Sequence, residues 1–578
     1  MKKLSRSLLI LLTILLVNCS SDDNHNNNDD CETEIQIGEN TDQESKSNLA
    51  PSLLEQYQDL DDVNFGGEIN LLWSDPPTLD PHLTTDGTSI GIIVELFSGL
   101  VKLSSNESSP VVADLAESWN ISEDGTIYDF TLRPNLKFSD GKLLTAEDVK
   151  WSLERAANPK TGSPVAEEFL GDIIGIKEII NGQKLTTEGI SVLNDRTIRI
   201  KIDAPKAYFL AKLSYPTAFI LSKKNVEDKN NNWLESPVGT GPFILKNYTV
   251  GKEIILNRND YFWDRKAYLE KIVYNLAGGV PMAMYENNEI DVTGITLADL
   301  ERVEDKCSDL NNDLVTIPPR HAITYIGFNT NKAPFDDIKF RQALNHAIDK
   351  QLIADQVFSN LVIPADGIIP PNFPGYSEKI SSLSFNLEKA KSLLVESKYV
   401  SYNSGSSESE IDTSKIPRIT LTIPGTGGSP GFTTEIIADM WRENLGIDIN
   451  IQQVEWATFI QDLHKGRLQV WSGLQWEADY PDPQTFIDVL FRSDSSINYG
   501  SYNNKNVDDF INQAQIEQDT ISRYKLYNQA EQIIINEAAW LPLWWGTDSK
   551  SLVKPRIKNL KFYSLSVPRF KDVWIKDN

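Results

Sequence analysis

Apolar positions along the chain repeatedly change period, from two to between three and four, and this predicts a mixed α/β protein. From about Gly66, strand-like and helix-like segments alternate, beginning "EINLLW", "SIGIIVELFSGLVKL" and "TIYDFTLR". In "TAEDVKWSLERA", Thr145 stands three residues before Asp148 as a capping box, with Val149, Leu153 and Ala156 on one helical face. "SVLNDRTIRIKI" carries two alternating runs across Asn194-Asp195 and predicts a hairpin. "DDIKFRQALNHAIDKQLIADQVF" sets Ile338, Leu344, Ala347, Ile348 and Leu352 in one helical stripe behind Asp336 or Asp337 as cap. "TTEIIADMWRENLG" ends on Gly446, a suitable C′ residue, and Ile447, Ile449 and Ile451 then share one face of a strand.

The length of 578 residues exceeds one core and implies two or three domains. The formal charge of -27 makes nucleic acid an unsuitable partner. Lys2, Lys3 and Arg6 precede an apolar stretch from Leu8 to Val17, too short for a bilayer and right for a secretory signal over residues 1–18. The protein is therefore expected to be exported. Cys19 follows that stretch in "LVNC", which resembles a bacterial lipobox with Asn18 where a small residue is usual, so Cys19 is expected to carry a lipid; the plainer reading is an ordinary signal peptide cut nearby. Residues 19–65, opening "CSSDDNHNNNDDCETE", are too polar to offset the entropy of ordering and are expected to form a flexible tether. Cys31 and Cys307 are the other cysteines, so no disulfide framework is expected.

Several chemical motifs fail on their own residues. "GGSPG", Gly427 to Gly431, matches a nucleophile elbow, but the residue that must donate its N–H to an oxyanion is Pro430. The histidines, at 25, 82, 321, 346 and 464, show no metal-ligand spacing, and "DKNNNW" has Trp233 where a calcium loop needs glycine. "GTGPF", Gly239 to Phe243, lacks the third glycine of a dinucleotide loop. No enzyme, cofactor or metal site is expected.

One stretch asks for a ligand. "LQWEADYPDPQTFIDVLF", Leu474 to Phe491, sets Glu477, Asp479 and Asp482 beside a tryptophan and two prolines, just before an apolar helical pattern. Buried carboxylates without partners are costly, and Pro481 and Pro483 make the segment a rigid irregular corner. A rigid acidic corner beside an indole suits capture of an ammonium group.

Read together, "PPTLDPHLTTDGTSIGIIVELFSGL", "VVADLAESWNISEDGTIYDFTLRPNLKFSDGKLLTAEDVKWSLERA", "GTGPF", "YIGFNTNKAPFDDIKFRQALNHAID" and "WEADYPDPQTF" resemble the extracytoplasmic solute-binding proteins of family 5, the oligopeptide and dipeptide receptors of ABC importers. The resemblance covers nearly all of the chain after the tether. It implies an α/β fold of the type II periplasmic-binding-protein kind, two lobes around a hinged cleft with an additional inserted domain. Domain I would comprise 66–97, 223–290 and 516–578, domain II 98–222, and domain III 291–515.

The resemblance also implies a site. Asp479 of the "ADY" triplet would take a ligand α-ammonium, Trp456 and Trp476 would wall the side-chain pockets, and Gln475 and Glu477 would flank them. Lys332 in "NTNKAPF" would reach a ligand carboxylate, and Thr85 and Gly87 would contact ligand backbone. Each has a plainer reading: a solvated turn for Asp479, core for Trp456, a surface lysine for Lys332, a turn for Thr85 and Gly87. If the backbone is extended there, Glu477 and Asp479 share a face, where two acids would favour extra positive charge. Gly473 and His464 stand where some relatives carry arginines, which leaves the treatment of ligand C-termini open.

The implied function is a non-enzymatic, monomeric receptor that captures a peptide or other small amine-bearing solute, closes, and passes it to an ABC permease. An alternative keeps the fold for a metal chelate, haem, sugar or opine, and another is a surface lipoprotein for adhesion or sensing. The anchor would hold the protein in the cell envelope, facing the periplasm or, since "SSDDN" resembles a surface-export signal, at the cell surface.

Overall fold

The computed structural model describes residues 63–104, 111–402, 411–425, 427, 430–565 and 567–576. The expected signal, Cys19, Cys31 and nearly all of the tether lie outside these residues. Three sheets of four or more strands, beside three two-stranded ones, form among the described residues. The seven-stranded sheet runs Leu314–Ile317, Ser549–Val553, Val292–Gly294, Glu68–Leu72, Lys271–Asn275, Glu253–Arg258, Phe243–Thr249. The six-stranded sheet runs Val362–Pro364, Trp540–Gly546, Ala322–Phe328, Val470–Glu477, Ile419–Pro424, Ile449–Val454. A four-stranded antiparallel sheet of Ala116–Ile121, Ile127–Leu132, Thr197–Lys201 and Ile190–Asn194 forms within the stretch between the first and second strands of the seven-stranded sheet.

Local chemistry starts most elements where the pattern predicts. Thr145 caps the helix Ala146–Ala157, its N–H donating to the Asp148 carboxylate at 2.9 Å. The hairpin turns at Asp195-Arg196, pairing Asn194 with Thr197. The helix Phe432–Leu445 stops on Gly446, whose φ of 68° only glycine adopts freely. The stripe beginning at Ile338 is not one helix but two, Ile338–His346 and Lys350–Gln356. The break has a cause: the Asp349 side chain accepts from Leu352 N–H at 3.0 Å and caps a new helix. Ile338 and Leu352 are consequently exposed, while Leu344, Ala347 and Ile348 are buried.

"GTGPF" has a packing explanation instead of a ligand one. A Cβ at Gly239 or Gly241 would lie 2.0 Å from the Leu96 carbonyl oxygen or 2.3 Å from that of Glu95, so both glycines let the chain run against the end of the helix Gly87–Leu96. In "DKNNNW", Asp228 accepts from Asn230 and Asn231 within its own turn.

The chain passes between the two large sheets at only two places in the described residues: 318–321, which includes Pro318 and Pro319, and 547–548. The expected boundaries at 291 and 515 do not coincide with these crossings. Val292–Gly294 and Leu314–Ile317 pair with Ser549–Val553, and Trp540–Gly546 pairs with Ala322–Phe328. All three pairings join strands more than two hundred residues apart, which periodicity does not reveal.

The four-stranded body is tied to the first sheet by a buried cluster. Arg155 donates to both oxygens of Asp80, at 3.1 and 2.6 Å, and contacts His82 Nδ1 at 2.9 Å, while His82 Nε2 lies 3.0 Å from the Phe219 carbonyl. Burial and the Arg155 charge hold the imidazole down at about 4, so His82 is neutral.

Candidate functional site

The strand Val470–Glu477 ends at Glu477, and Asp479 sits in the turn that follows. Pro483 caps the helix Gln484–Phe491, and its first turn fastens the corner. Trp476 Nε1 donates to the Thr485 carbonyl at 2.9 Å, and the Asp479 N–H donates to Thr485 Oγ1 at 3.3 Å. Tyr480 is fully buried, its hydroxyl on the Gln484 side-chain oxygen. The two prolines and this small lattice fix the backbone that carries Asp479.

Asp479 is half-buried and has no ion-pair partner among the described residues. Burial, with the Glu168 carboxylate adding to it, pushes its carboxyl up to about 7. A carboxylate held in this setting without a cation has unmet electrostatic demand. Glu168 belongs to the four-stranded body, so the site draws on more than one part of the fold.

Tyr215 makes the convergence visible. It stacks on Phe169 with ring centres 3.7 Å apart, and burial followed by the charges of Asp479 and Asp86 and the Tyr499 ring raises its hydroxyl far above the usual range. Asp86 follows the first strand of the seven-stranded sheet, and Tyr499 lies beyond the helix Gln484–Phe491. Three parts of the chain, carrying Asp86, Asp479 and Tyr499, thus act on Tyr215. His464 Nε2 lies 3.4 Å from the Tyr499 hydroxyl.

The residues expected at the site divide. Trp476 packs half-buried against the main core beside Asp479, while Gln475 is exposed. Trp456 is no strand core residue: it opens the helix Trp456–His464, is 39% exposed and lies nearly parallel to Phe459 at 6.2 Å. Glu477 does not join Asp479 as a second free acid, because Arg320 ion-pairs with it and the extended backbone ends there. Lys332 Nζ donates to the Arg467 carbonyl. Thr85 and Gly87 are exposed, and between them Asp86 caps the helix Gly87–Leu96, accepting from Ser89 N–H at 2.9 Å. At Gly473 the φ of +84° and Pro424 at 2.7 Å from a built Cβ exclude an arginine.

Sequence reasoning missed Glu168, Tyr215 and Tyr499. Tyr215 and Glu168 fall in the inserted stretch, far in sequence from "ADY", and only the pairing of distant segments brings them there. Among the described residues no group of His, Cys, Asp and Glu is arranged to hold a metal, and no helix is long and apolar enough to cross a membrane.

Two sheets exchanged by two short crossings, with an extra body inserted and an unmatched carboxylate just past a strand of the six-stranded sheet, define a solute-binding receptor of the type II periplasmic-binding-protein class. The family model for bacterial extracellular solute-binding proteins, family 5, matches residues 110–498. The chain belongs to that family. It is 30% identical over 495 residues to the periplasmic oligopeptide-binding protein OppA of Salmonella typhimurium, covering 83% of this chain and 87% of the relative. It is 31% identical over 504 residues to the probable deoxycholate-binding periplasmic protein YgiS of Escherichia coli, covering 85% and 88%. The murein tripeptide binding protein MppA of Escherichia coli superposes with a TM-score of 0.78 at 27% identity, over 89% of this chain and 100% of that one. Its unliganded open form superposes with a TM-score of 0.63 at 27% identity, over 89% of this chain and 98% of that one.

Proposed function

We propose that this chain is a non-enzymatic extracytoplasmic receptor that captures peptides by their free amino terminus, closes, and hands them to an ABC permease. The observation that carries this reading is the Asp479 carboxylate, half-buried, on a backbone fastened to Thr485 and without a cationic partner among the described residues. A peptide α-amino group ordinarily titrates at about 7.7 to 8.0, so at neutral pH it is mostly an ammonium and supplies that cation. Such a charge-assisted bond contributes about 1.5 to 3 kcal/mol and fixes the peptide's register. The rest of the affinity comes from backbone pairing of an extended ligand, which ignores side-chain identity, with Trp456, Trp476, Tyr215 and Tyr499 as pocket walls. Lys332, Thr85, Gly87 and Gln475 serve as secondary contacts, Lys332 after releasing the Arg467 carbonyl. A bile acid such as the one YgiS is named for carries a carboxylate, which Asp479 would repel.

The lipid on Cys19 and the tether hold a monomeric receptor in the cell envelope near its permease, at high effective concentration. The two crossings act as the hinge, with domain III from 318 to 546 closing over domain I. The test is calorimetric. Asp479→Asn should weaken a free-amine tetrapeptide roughly ten- to a hundredfold and leave its N-acetylated form little changed. Equal affinity of parent and variant for the free-amine peptide would remove the ammonium reading.

A further inference from the structure

The crossing 318–321 is stitched to both of the bodies that it joins. On one side it meets the corner before Asp479: Ala322 pairs with Glu477, the Ala478 N–H donates to the His321 carbonyl at 2.8 Å, and the Arg320 guanidinium ion-pairs with Glu477. On the other it meets the C-terminal segment, where Arg320 Nη1 donates to the Tyr563 carbonyl and the His321 N–H to the Ser564 carbonyl, each at 3.1 Å. The His321 ring also meets Phe373 edge-on at 5.1 Å, and Phe373 meets Phe486 of the helix Gln484–Phe491 edge-on at 5.1 Å.

The partners of Arg320 belong to different bodies. Glu477 ends a strand of the six-stranded sheet. Tyr563 follows the strand Ile557–Lys558, which pairs with Trp574–Ile575, and Ile557, Phe570 and Val573 are buried in the cluster that holds Ile69 and Ile272 of the seven-stranded sheet. Residues 557–563 line one groove with Val315, Thr316 and Val553 of that sheet. Arg320 itself travels with Glu477, because Ala322, two residues on, already stands in the six-stranded ladder. A rotation about the crossings therefore preserves the ion pair and changes the separation from Tyr563. Glu477 takes Nη2 while Nη1 goes to Tyr563, and since the guanidinium is a planar fork, the grip on one nitrogen aims the other.

We propose that Arg320 is a positioning residue for ligand retention: aimed by Glu477, its guanidinium latches the body that carries Asp479 to the body that carries Tyr563 when the receptor is closed. This rests on the closing-receptor reading above and deepens it. An ion pair whose side chains are 33% and 38% exposed adds little to folding stability. Its effect falls instead on the balance between closed and open arrangements, of which the closed one makes the Tyr563 bond. A peptide leaves an enclosing cleft when the bodies part, so a latch slows release and leaves capture by the open form alone. The backbone bonds to Glu477 and Ala478 do not use the guanidinium. Asp479 therefore keeps its place, and its choice of an ammonium, when Arg320 is replaced.

Stopped-flow release of a free-amine tetrapeptide from the full chain tests this. Arg320→Gln should release the peptide about tenfold faster and change association by less than about twofold. Its preference for the free-amine over the N-acetylated peptide should not move, and its denaturant midpoint should stay close to the parent's. Arg320→Lys, with one nitrogen for two acceptors, should fall between parent and R320Q. Glu477→Gln leaves the fork unaimed and should speed release about threefold, and the double variant should be no faster than R320Q, since both changes act on one bond. Release at the parental rate in R320Q overturns the proposal, and a fall in stability alone marks a merely structural role. Effects that multiply in the double variant overturn it equally. If R320Q does not fold, Glu477→Gln carries the same test, and parental release there overturns the latch. Loss of amine preference in Asp479→Asn beside parental release in R320Q sinks this inference alone, whereas Asp479→Asn without effect sinks the amine reading and leaves faster release in R320Q standing.

Discussion

Arg155 holds Asp80 through two nitrogens at 2.6 and 3.1 Å, joining the longest helix of the inserted body to the loop that follows the first strand. Asp80 is only 3% exposed, and its neighbour His82 is neutral, so no other charge there can stand in for the guanidinium. Arg155→Ala leaves a buried carboxylate uncompensated and should cost about 3 to 5 kcal/mol. Denaturant unfolding of the variant would read that loss directly, and Arg155→Lys, which cannot span both oxygens, should recover only part of it.

Peptide affinity should follow pH in a bell. The empty receptor's Asp479 carboxyl is raised to about 7, while the complex needs it ionised, so binding expels a proton and strengthens as pH rises towards 7. Below that value affinity should fall about tenfold per pH unit, and above about 8 it should fall again as the peptide amine loses its charge. Isothermal titration across pH 5 to 9 would trace both limbs. An N-acetylated peptide should show neither.

Glu531 carries a third prediction, about stability. It is 1% exposed, accepts from the N–H groups of Ile368 and Ile369 at 2.7 and 3.1 Å, and its other oxygen has no hydrogen-bond partner among the described residues. Burial raises its carboxyl to about 7 against an ordinary 4.5. The folded state therefore binds the proton more tightly than the unfolded state, and stability is lost as pH rises from about 4.5 to about 7. Glu531→Gln keeps the acceptor and removes the ionisable group. It should be on the order of 3 kcal/mol more stable than the parent at pH 8 and nearly equal at pH 4.5, an upper bound that thermal melts at the two pH values would check.

The legible parts of the chain were those written locally. The Thr145 and Asp148 cap, the hairpin at Asp195 and the stop at Gly446 are decided by neighbours within four residues, and each appears in the structure. Periodicity merged two helices into one at Asp349 because a capping aspartate and an exposed helical one look alike until the backbone turns. Asp479 could be singled out because prolines and acids crowd around it, and the corner is rigid as they imply. Glu168, Tyr215 and the tie between Arg320 and Glu477 were invisible, since nothing near 168, 215 or 320 signals that residue 477 or 484 will arrive beside it. The crossings at 318–321 and 547–548 were illegible for the same reason.

The place of Trp540–Gly546 inside the six-stranded sheet bears on the order in which this molecule can take shape. That strand lies against Ala322–Phe328 on one side and Val362–Pro364 on the other, yet it is made more than two hundred residues after the first of these partners. Until it emerges, the apolar ribbon "AITYIGF" has one flank of unpaired amides and carbonyls, a surface open to pairing with another nascent chain. A chain halted shortly before residue 540 would therefore hold that flank open to its neighbours until synthesis resumed.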